Sequence, residues 1–482
     1  MARPGTEVVL LEEPPARTPP TDTSMFFVVG PSEKGPTTPT LVRSMNEFIN
    51  IFGARQTYSY LWDAMDCYFR EGGSEAYVSR VVGPAPVSAT YTLQDSTPAN
   101  TLHVTAQSPG SWGNDLEVAV IAGDSGGQYK IQISDVDTSE VLEVSGDLTT
   151  KQDAITWSLG SSYVTITDVG TGNVPALTAN HALLGGTDDH TNIVESNWTT
   201  ALDLFSKALG PGQVAMPGRT TLAAQQNLLQ HANDNNRCAL IDQADSGSVA
   251  TLVSAAVSLR SYPNDRFGEL HAPWAIVPGV IGGTARTVPW SAIQAGIIAR
   301  NDAQGLSPNI AAAGITYGQS LYSIGLSQPA FSDDDRETLN EAGVNIAREL
   351  FGGIMMYGYR TVVDPNLDPN WIEFSNSRLY MAIAADADAI AEQYAFRQID
   401  GKGLTIGEFN GDLTGMLMTY YNEGSLFGDS PATAFVVDTG PAVNTIATIQ
   451  NQELHAVLHL HMSPFAEWVQ IQVVKRLLTD LI

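Results

Sequence analysis

MFFVVG, residues 25–30, runs six positions without a charged, amide or hydroxyl side chain. A half-exposed strand alternates apolar with polar, so an unbroken run of this length reads as a strand buried on both faces. Working outward, Met45 to Phe52 and Tyr60 to Phe69 carry apolar residues at helical spacing, and Gly72 and Gly73 stop the second of these helices. Ala76 to Val82 (AYVSRVV) then alternates as a strand, so residues 25–83 read β-α-α-β. On the other side, Thr6 to Glu12 (TEVVLLE) is a short apolar strand followed by Pro14, Pro15, Pro19 and Pro20, which keep the chain extended. Eight of the 26 prolines fall in the first 40 residues, which makes residues 1–24 an extended N-terminal arm. Fully extended at about 3.3 Å per residue, it reaches roughly 80 Å.

The far end has the same character. Leu454 to Met462 (LHAVLHLHM) sets Leu454, Ala456, Leu458, Leu460 and Met462 on one side and His455, Val457, His459 and His461 on the other. Ser463 and Pro464 break the pattern, and Trp468 to Val474 (WVQIQVV) alternates again. Strands fenced off at both termini predict β-augmentation between subunits.

A chain of 482 residues is too long for one core, so several domains are expected. Between the ends the texture changes twice. From Pro84 to about Gly186, Thr, Val, Ser and Gly dominate, with strands expected at Leu116 to Ala122, Tyr129 to Ser134 and Tyr163 to Asp168, an all-β insert of sandwich type. Residues 187–358 alternate helix and strand, an α/β layer pattern with helices expected at Leu222 to His231 and Ser246 to Leu259 and strands at Ala239 to Asp242 and Ala275 to Val280. Ser332, with Asp335 three residues on, opens a helix whose apolar face (Leu339, Ala342, Ile346, Leu350) is expected to run to Gly352. Helices near Ser377 to Phe396 and Phe409 to Asn422 precede the terminal strands, giving an α+β C-terminal domain over 359–482.

Charge excludes several functions. With 24 basic and 52 acidic residues the net charge is −28, which opposes nucleic-acid backbones and anionic membranes. Between Pro84 and Thr200 only Lys130 and Lys151 face fourteen Asp and Glu, so the insert is expected to be a solvated outer surface. Cys67 and Cys238 lie in core-like sequence, so a disulfide framework is not expected. No export signal and no 18-residue apolar run is visible, and no membrane insertion is expected.

Candidate chemistry thins out on inspection. Gly123 to Gly127 spells GDSGG, the surroundings of a serine-protease nucleophile, but Ser125 has only His103 upstream and lies between two expected strands, where these residues make a hairpin turn. Asp364, Asn366, Asp368 and Asn370 begin like a calcium loop, yet Pro369 and Ser375 stand where Gly and Glu are needed. His455, His459 and His461 share a strand face without a cysteine to complete a zinc site, although Glu453 is on the same face. Asp333 to Asp335 suit a helix N-terminus, and Gly30 to Pro36 lacks the Gly-Lys-Ser/Thr ending of a phosphate loop. No catalytic residue, cofactor or metal is therefore expected, and the chain is expected not to be an enzyme.

An ordered series of strings remains: Phe27-Val28-Val29-Gly30 and Gly35-Pro36; Phe48 to Gly53; Gly72-Gly73 through Val78-Ser79-Arg80-Val81; Ser108 to Leu116 (SPGSWGNDL); Leu184 to Asp188 (LGGTD); Pro289-Trp290-Ser291 through Ala299-Arg300-Asn301-Asp302 and Ser307-Pro308-Asn309; Gly343-Val344-Asn345; Tyr357 to Thr361; Gly424 to Gly428; and Ser463 to Val469 (SPFAEWV). In this succession the chain resembles the contractile-tail sheath proteins of myophages, tailocins and related injection systems, over almost its whole length. Asn301 departs from the residue the family often has before Asp302.

The resemblance implies a β-sandwich insert at 84–186 and an α/β middle region at 187–358 with a subtilisin-like, non-catalytic fold. It also implies a C-terminal domain facing an inner tail tube, and exchanged terminal strands. Partners so implied are further copies of the chain in a helical homopolymer, the inner tube protein, and baseplate and tail terminator proteins, in a virion tail assembled in the bacterial host cytoplasm. Val8, Leu10, Leu458, Leu460, Ile471 and Val473 are the residues expected to carry the exchange. A serine hydrolase using Ser125 and a β-rich surface adhesion module are the competing readings.

Overall fold

The computed structural model describes residues 21–170, 173–260 and 263–475. Phe26–Pro31 is a strand with all six residues buried. Phe26 and Val28 face a core shared with the helices Met45–Phe52, Leu61–Glu71 and Ser291–Ala303. Phe27 and Val29 face a second core under the helices Glu195–Asp203, Leu222–Asp234, Val249–Leu259 and Asp333–Glu341. Two-sided burial explains why this strand does not alternate apolar with polar.

The strand sits inside an eight-stranded sheet. From one edge the order is Gly353–Met356, Val344–Leu350, Gly268–Ala272, Cys238–Asp242, Gln213–Ala215, Phe26–Pro31, Ala76–Val81 and Thr40–Val42. The six inner strands pair in parallel, and the two outermost strands are antiparallel to their neighbours. Gly73 closes the turn before Ala76–Val81 because any Cβ there would meet the Tyr68 ring at 2.3 Å. The Tyr68 hydroxyl in turn donates to the Glu75 carbonyl at 2.7 Å.

In the main sheet, two elements differ from expectation. The helix opened by Ser332 has the expected capping box with Asp335 but ends at Glu341. Gly343 then takes φ +77° close against the Thr361 carbonyl, and Val344–Leu350 becomes a strand. Ile346 and Leu350 thus leave the helical face, because an unfilled sheet edge binds this segment more effectively than one more helical turn. The strand Gly268–Ala272 (GELHA), read from sequence as no element, is fully buried, and its Glu269 and His271 lie 3.3 Å apart inside the molecule.

The insert is two packed sheets. One holds Thr90–Gln94, Asn100–Ala106 and Val164–Asp168, and the other Thr178–Ala182, Leu116–Ala122, Tyr129–Asp135 and Val141–Val144. Leu102, Val104, Val118, Ile131, Ile133 and Ile166 fill the space between them. The helix Lys151–Ser158, capped reciprocally by Thr150 and Asp153, closes one side of this core. The chain enters and leaves through a paired neck, where Val87 and Thr187 exchange backbone hydrogen bonds of 2.8 Å and Gly83 N–H donates to Asp188 at 2.8 Å.

Beyond the main sheet, the helices Phe374–Glu392 and Leu404–Asn422 pack on the two-stranded sheet of Phe435–Asp438 and Val457–Leu460. The mixed α/β multidomain architecture with a β-sandwich is thus present in full.

Arg80 joins the insert to the sheet. Its guanidinium donates to the carbonyls of Gly35 (2.9 Å), Pro109 (2.8 Å), Ser32 (3.1 Å) and Glu33 (3.2 Å). Burial pushes its pKa down to about 10, so it remains charged at neutral pH. Arg80→Met leaves these buried acceptors without a donor, and chemical denaturation should show a loss of about 3 kcal/mol.

Candidate assembly interface

The chemistry weighed in the sequence falls apart in space. Gly123 to Gly127 is the exposed turn of the hairpin between Leu116–Ala122 and Tyr129–Asp135. His103 lies on the opposite sheet of the sandwich, where its Nδ1 meets the Thr92 hydroxyl at 2.9 Å. Asp364 caps its own turn, accepting from Asn366 N–H at 2.9 Å. The His461 Nδ1 sits 3.0 Å from the Thr433 carbonyl, and His455 lies 3.4 Å from Glu453. Among the described residues no group of three or more His, Cys, Asp and Glu is arranged to hold a metal ion, and no helix is long and apolar enough to cross a membrane.

One constellation escaped the sequence reading. Asp242 and His271 are register partners on adjacent strands, and Ser291 donates to Asp242 through its hydroxyl (2.8 Å) and its N–H (2.9 Å). An aspartate, a histidine and a serine together suggest a hydrolase, but the serine is committed to the carboxylate, whereas a nucleophile must address a base. All three are at most 2% exposed. Burial raises the Asp242 pKa, against the pull of His271 and the donors around it. The carboxylate, which also accepts from Gly218 N–H at 3.1 Å, caps the helix Ser291–Ala303. No sequence spacing announces it, because its three members come from separate elements.

The C-terminal end carries a consecutive run of exposed apolar residues. From Leu454 to Met462 the apolar side is half-buried while His455, Val457, His459 and His461 are exposed. Strand geometry is confined to Val457–Leu460, with Leu458 opposite Val437 and Leu460 opposite Phe435. Leu458 and Leu460 pack against Leu379, Leu417 and Tyr420. Among the described residues this sheet has two strands, so each keeps an outer edge; the Asn410 amide covers part of one, donating to the Val437 carbonyl at 2.9 Å.

After Met462 the chain is held from Ser463 to Glu467 and then projects from the surface. Ser463 N–H donates to Ser425 at 2.9 Å, and Glu467 accepts from Arg360 Nε (2.8 Å) and from the Asn340 amide (3.0 Å). A groove of about 760 Å³ runs beside this segment, walled by Trp371, Glu373, His461 and Phe465. Beyond it Trp468, Val469, Ile471, Val473 and Val474 are 73–92% exposed and belong to no strand. Of the residues expected to carry exchange, Leu458 and Leu460 therefore lie in a strand paired within the chain, Ile471 and Val473 project from the surface, and Val8 and Leu10 lie outside the described residues.

Burial tends to raise the Glu467 pKa, but the hydrogen bonds from Arg360 and Asn340 outweigh it and hold the carboxyl below its ordinary value of 4.5. A depressed carboxylate contributes stability above its unfolded value and loses it as pH falls through the folded value. Arg360→Gln at neutral pH, or acidification of the native chain below that window, should free the segment around Glu467, and hydrogen exchange across 463–470 should accelerate while the main sheet stays protected.

Residues 83–189 match the family model described as the phage tail sheath protein beta-sandwich domain. No curated protein matches the chain in sequence. Among solved structures, the sheath tail protein of Listeria innocua aligns with a TM-score of 0.62 at 14% identity over 88% of this chain and 90% of its own. That of Desulfitobacterium hafniense aligns with a TM-score of 0.56 at 14% identity over 90% and 93%. A chain from the contracted sheath complex of an extracellular contractile injection system (PVC) aligns with a TM-score of 0.52 at 15% identity over 99% and 98%. Residues 83–189 thus match the tail sheath β-sandwich domain, within a fold similar to that of sheath tail proteins along nearly the whole chain.

Proposed function

We propose that this chain is the structural subunit of a contractile tail sheath. It polymerises as a helical sleeve around an inner tube and shortens to drive that tube through a cell envelope. The observation that carries the reading is the combination of the match to the sheath β-sandwich with a C-terminal segment whose apolar residues are left in water, following a two-stranded sheet whose edges are only partly covered. Large exposed apolar patches mark interaction surfaces.

In this reading the sheet Phe435–Asp438/Val457–Leu460, with Leu458 and Leu460, is the receiver. The segment bearing Ile471 and Val473 is the donor to one neighbour, and Val8 and Leu10 serve the same purpose at the other terminus. Each added strand brings several backbone hydrogen bonds of about 0.5–1.5 kcal/mol net, besides apolar burial at about 25 cal/mol per Å². Joints of that kind persist while folded bodies shift as rigid units between two lattices, and the interfaces between bodies supply the two states. No fuel is consumed by this chain.

The finer division follows the same reading: arm 1–24, first part of the α/β core 25–83, outward-facing insert 84–186, a subtilisin-like but non-catalytic region 187–358, and a tube-facing domain 359–482. The parallel sheet covered by helices on both faces supports the third of these folded pieces. Partners are other copies of the chain, the inner tube, baseplate and tail terminator proteins, in a virion tail assembled in the host cytoplasm. A net charge of −28 supports the absence of nucleic acid from this list. The exposed turn holding Ser125, far from a positioned base, supports a structural role over a hydrolytic one.

Removal of residues 1–22 should leave a folded, soluble monomer that forms no polymer, as judged by circular dichroism and negative-stain microscopy. Hollow striated sleeves of normal length from that protein would overturn the strand-exchange reading. Ser125→Ala should leave sleeve formation unchanged.

A further inference from the structure

The root of each terminal arm is tied to the same short stretch of chain. At the N-terminal root, the Thr23 hydroxyl donates to Asp302 Oδ2 at 3.0 Å across 279 residues of sequence. The same oxygen accepts from Arg378 Nη2 at 2.7 Å, and Arg378 Nη1 donates to the Pro308 carbonyl at 3.2 Å. At the C-terminal root, the side-chain amide of the next residue, Asn309, donates to the Ser463 carbonyl at 2.7 Å and to that of Ser425 at 3.4 Å. Ser307 and Ser425 join hydroxyl to hydroxyl beside it. Arg378 is 1% exposed, and Thr23 and Asn309 are 8% exposed.

We infer that Asp302 to Asn309, with Arg378 as its cross-member, is a bracket that holds both arm roots in one rigid piece, so that tension on one arm passes directly to the other. The physical case is continuity. Thr23, Asp302, Arg378 and Pro308 are joined by hydrogen bonds, the peptide bond carries the path on to Asn309, and Asn309 is hydrogen-bonded to Ser463; the central link, Arg378 to Asp302, is a charge-assisted hydrogen bond largely shielded from water, the strong class of such bonds. Burial works against the charge on Arg378, and Asp302 beside it outweighs that effect and raises the guanidinium pKa. Other contacts hold each root singly. Gln213 donates to the Thr23 carbonyl at 2.8 Å and Ser463 N–H to Ser425 at 2.9 Å, but neither connects the two roots. The bracket stands at the end of the helix Ser291–Ala303, whose N-terminal half is set in the main core, so the path is anchored to the sheet. In a polymer joined by arms, such a path lets the insert and the helical layers rearrange without carrying the pull.

The inference rests on the strand-exchange reading for its purpose and not for its geometry, and two measurements separate them. In the full-length chain before polymerisation, Asn309→Ala removes only the C-terminal link. Hydrogen exchange should then rise at 463–467 and also at 21–25, and Thr23→Val should produce the reciprocal effect. Exchange that rises only at the mutated root overturns the bracket. In assembled sleeves, the Thr23→Val/Asn309→Ala double variant should still polymerise, because its arms are intact. Its sleeves should shed subunits at a guanidinium concentration that leaves the native sleeves whole. Sleeves of native resistance overturn the bracket while leaving strand exchange standing, whereas polymerisation of the chain lacking residues 1–22 overturns strand exchange alone. Arg378→Lys keeps the charge but replaces the two fixed nitrogens that reach Asp302 and Pro308 with a single one, and it should shift sleeve resistance toward that of the double variant; a native-like response from it also counts against the inference.

Discussion

A parallel sheet has no face to give to water, and the architecture follows from that constraint. Six parallel strands require helices on both sides, which is why Phe26 and Val28 serve one core and Phe27 and Val29 the other. Crossover connections need length, and the chain supplies it by threading helices between every successive pair. The sandwich enters through one such connection, between Ala76–Val81 and Glu195–Asp203, without interrupting the sheet. Short antiparallel strands, Thr40–Val42 and Gly353–Met356, form the two edges, so the long parallel strands are not themselves edges.

Burial on both faces also makes the interior polar groups costly, and several of them are matched to a structural task. Asp242 caps a helix, Arg80 gathers four carbonyls at the junction with the insert, and Arg286 lies between Asp63 and Asp66, reaching Asp66 at 2.7 Å. Arg237 donates to the carbonyls of Phe205 (2.6 Å), Ser206 (2.8 Å) and Gly210 (3.2 Å) and stacks over the Phe27 ring. A buried ion pair is weak evidence for stability, but one deprived of a partner is strongly destabilising, so these groups specify a single arrangement of segments distant in sequence.

How much of this is visible in the sequence depends on how local the deciding signal is. Met45–Phe52 carries its whole explanation with it: a serine cap, a glycine stop and apolar residues on one face. The GDSGG turn is equally local, since glycines between two alternating runs make a hairpin wherever they occur. Gly268–Ala272 was hidden because Glu269 and His271 give it the look of a surface segment, and only the neighbouring strands and Gln294, donating at 3.1 Å, make room for them. Val344–Leu350 is the opposite case: its apolar residues fit a helical stripe, and tertiary pairing with Gly268–Ala272 overrides that local preference. Of the interface, the alternation from Leu454 to Met462 was legible and its length was not, because pairing stops where Phe435–Asp438 stops. The Asp242, His271 and Ser291 set, assembled from two strands and a helix start, leaves no trace in spacing.

The neck of the insert has a consequence of another kind. Where Val87 and Thr187 pair, the outgoing and returning chains lie side by side, so to the rest of the molecule about a hundred residues amount to one hairpin loop. Loop closure depends on the distance between ends and only weakly on what is strung between them. The sandwich is accordingly closed at a two-stranded neck, and any other domain with adjacent termini grafted there must still offer Arg80 the carbonyl that Pro109 supplies.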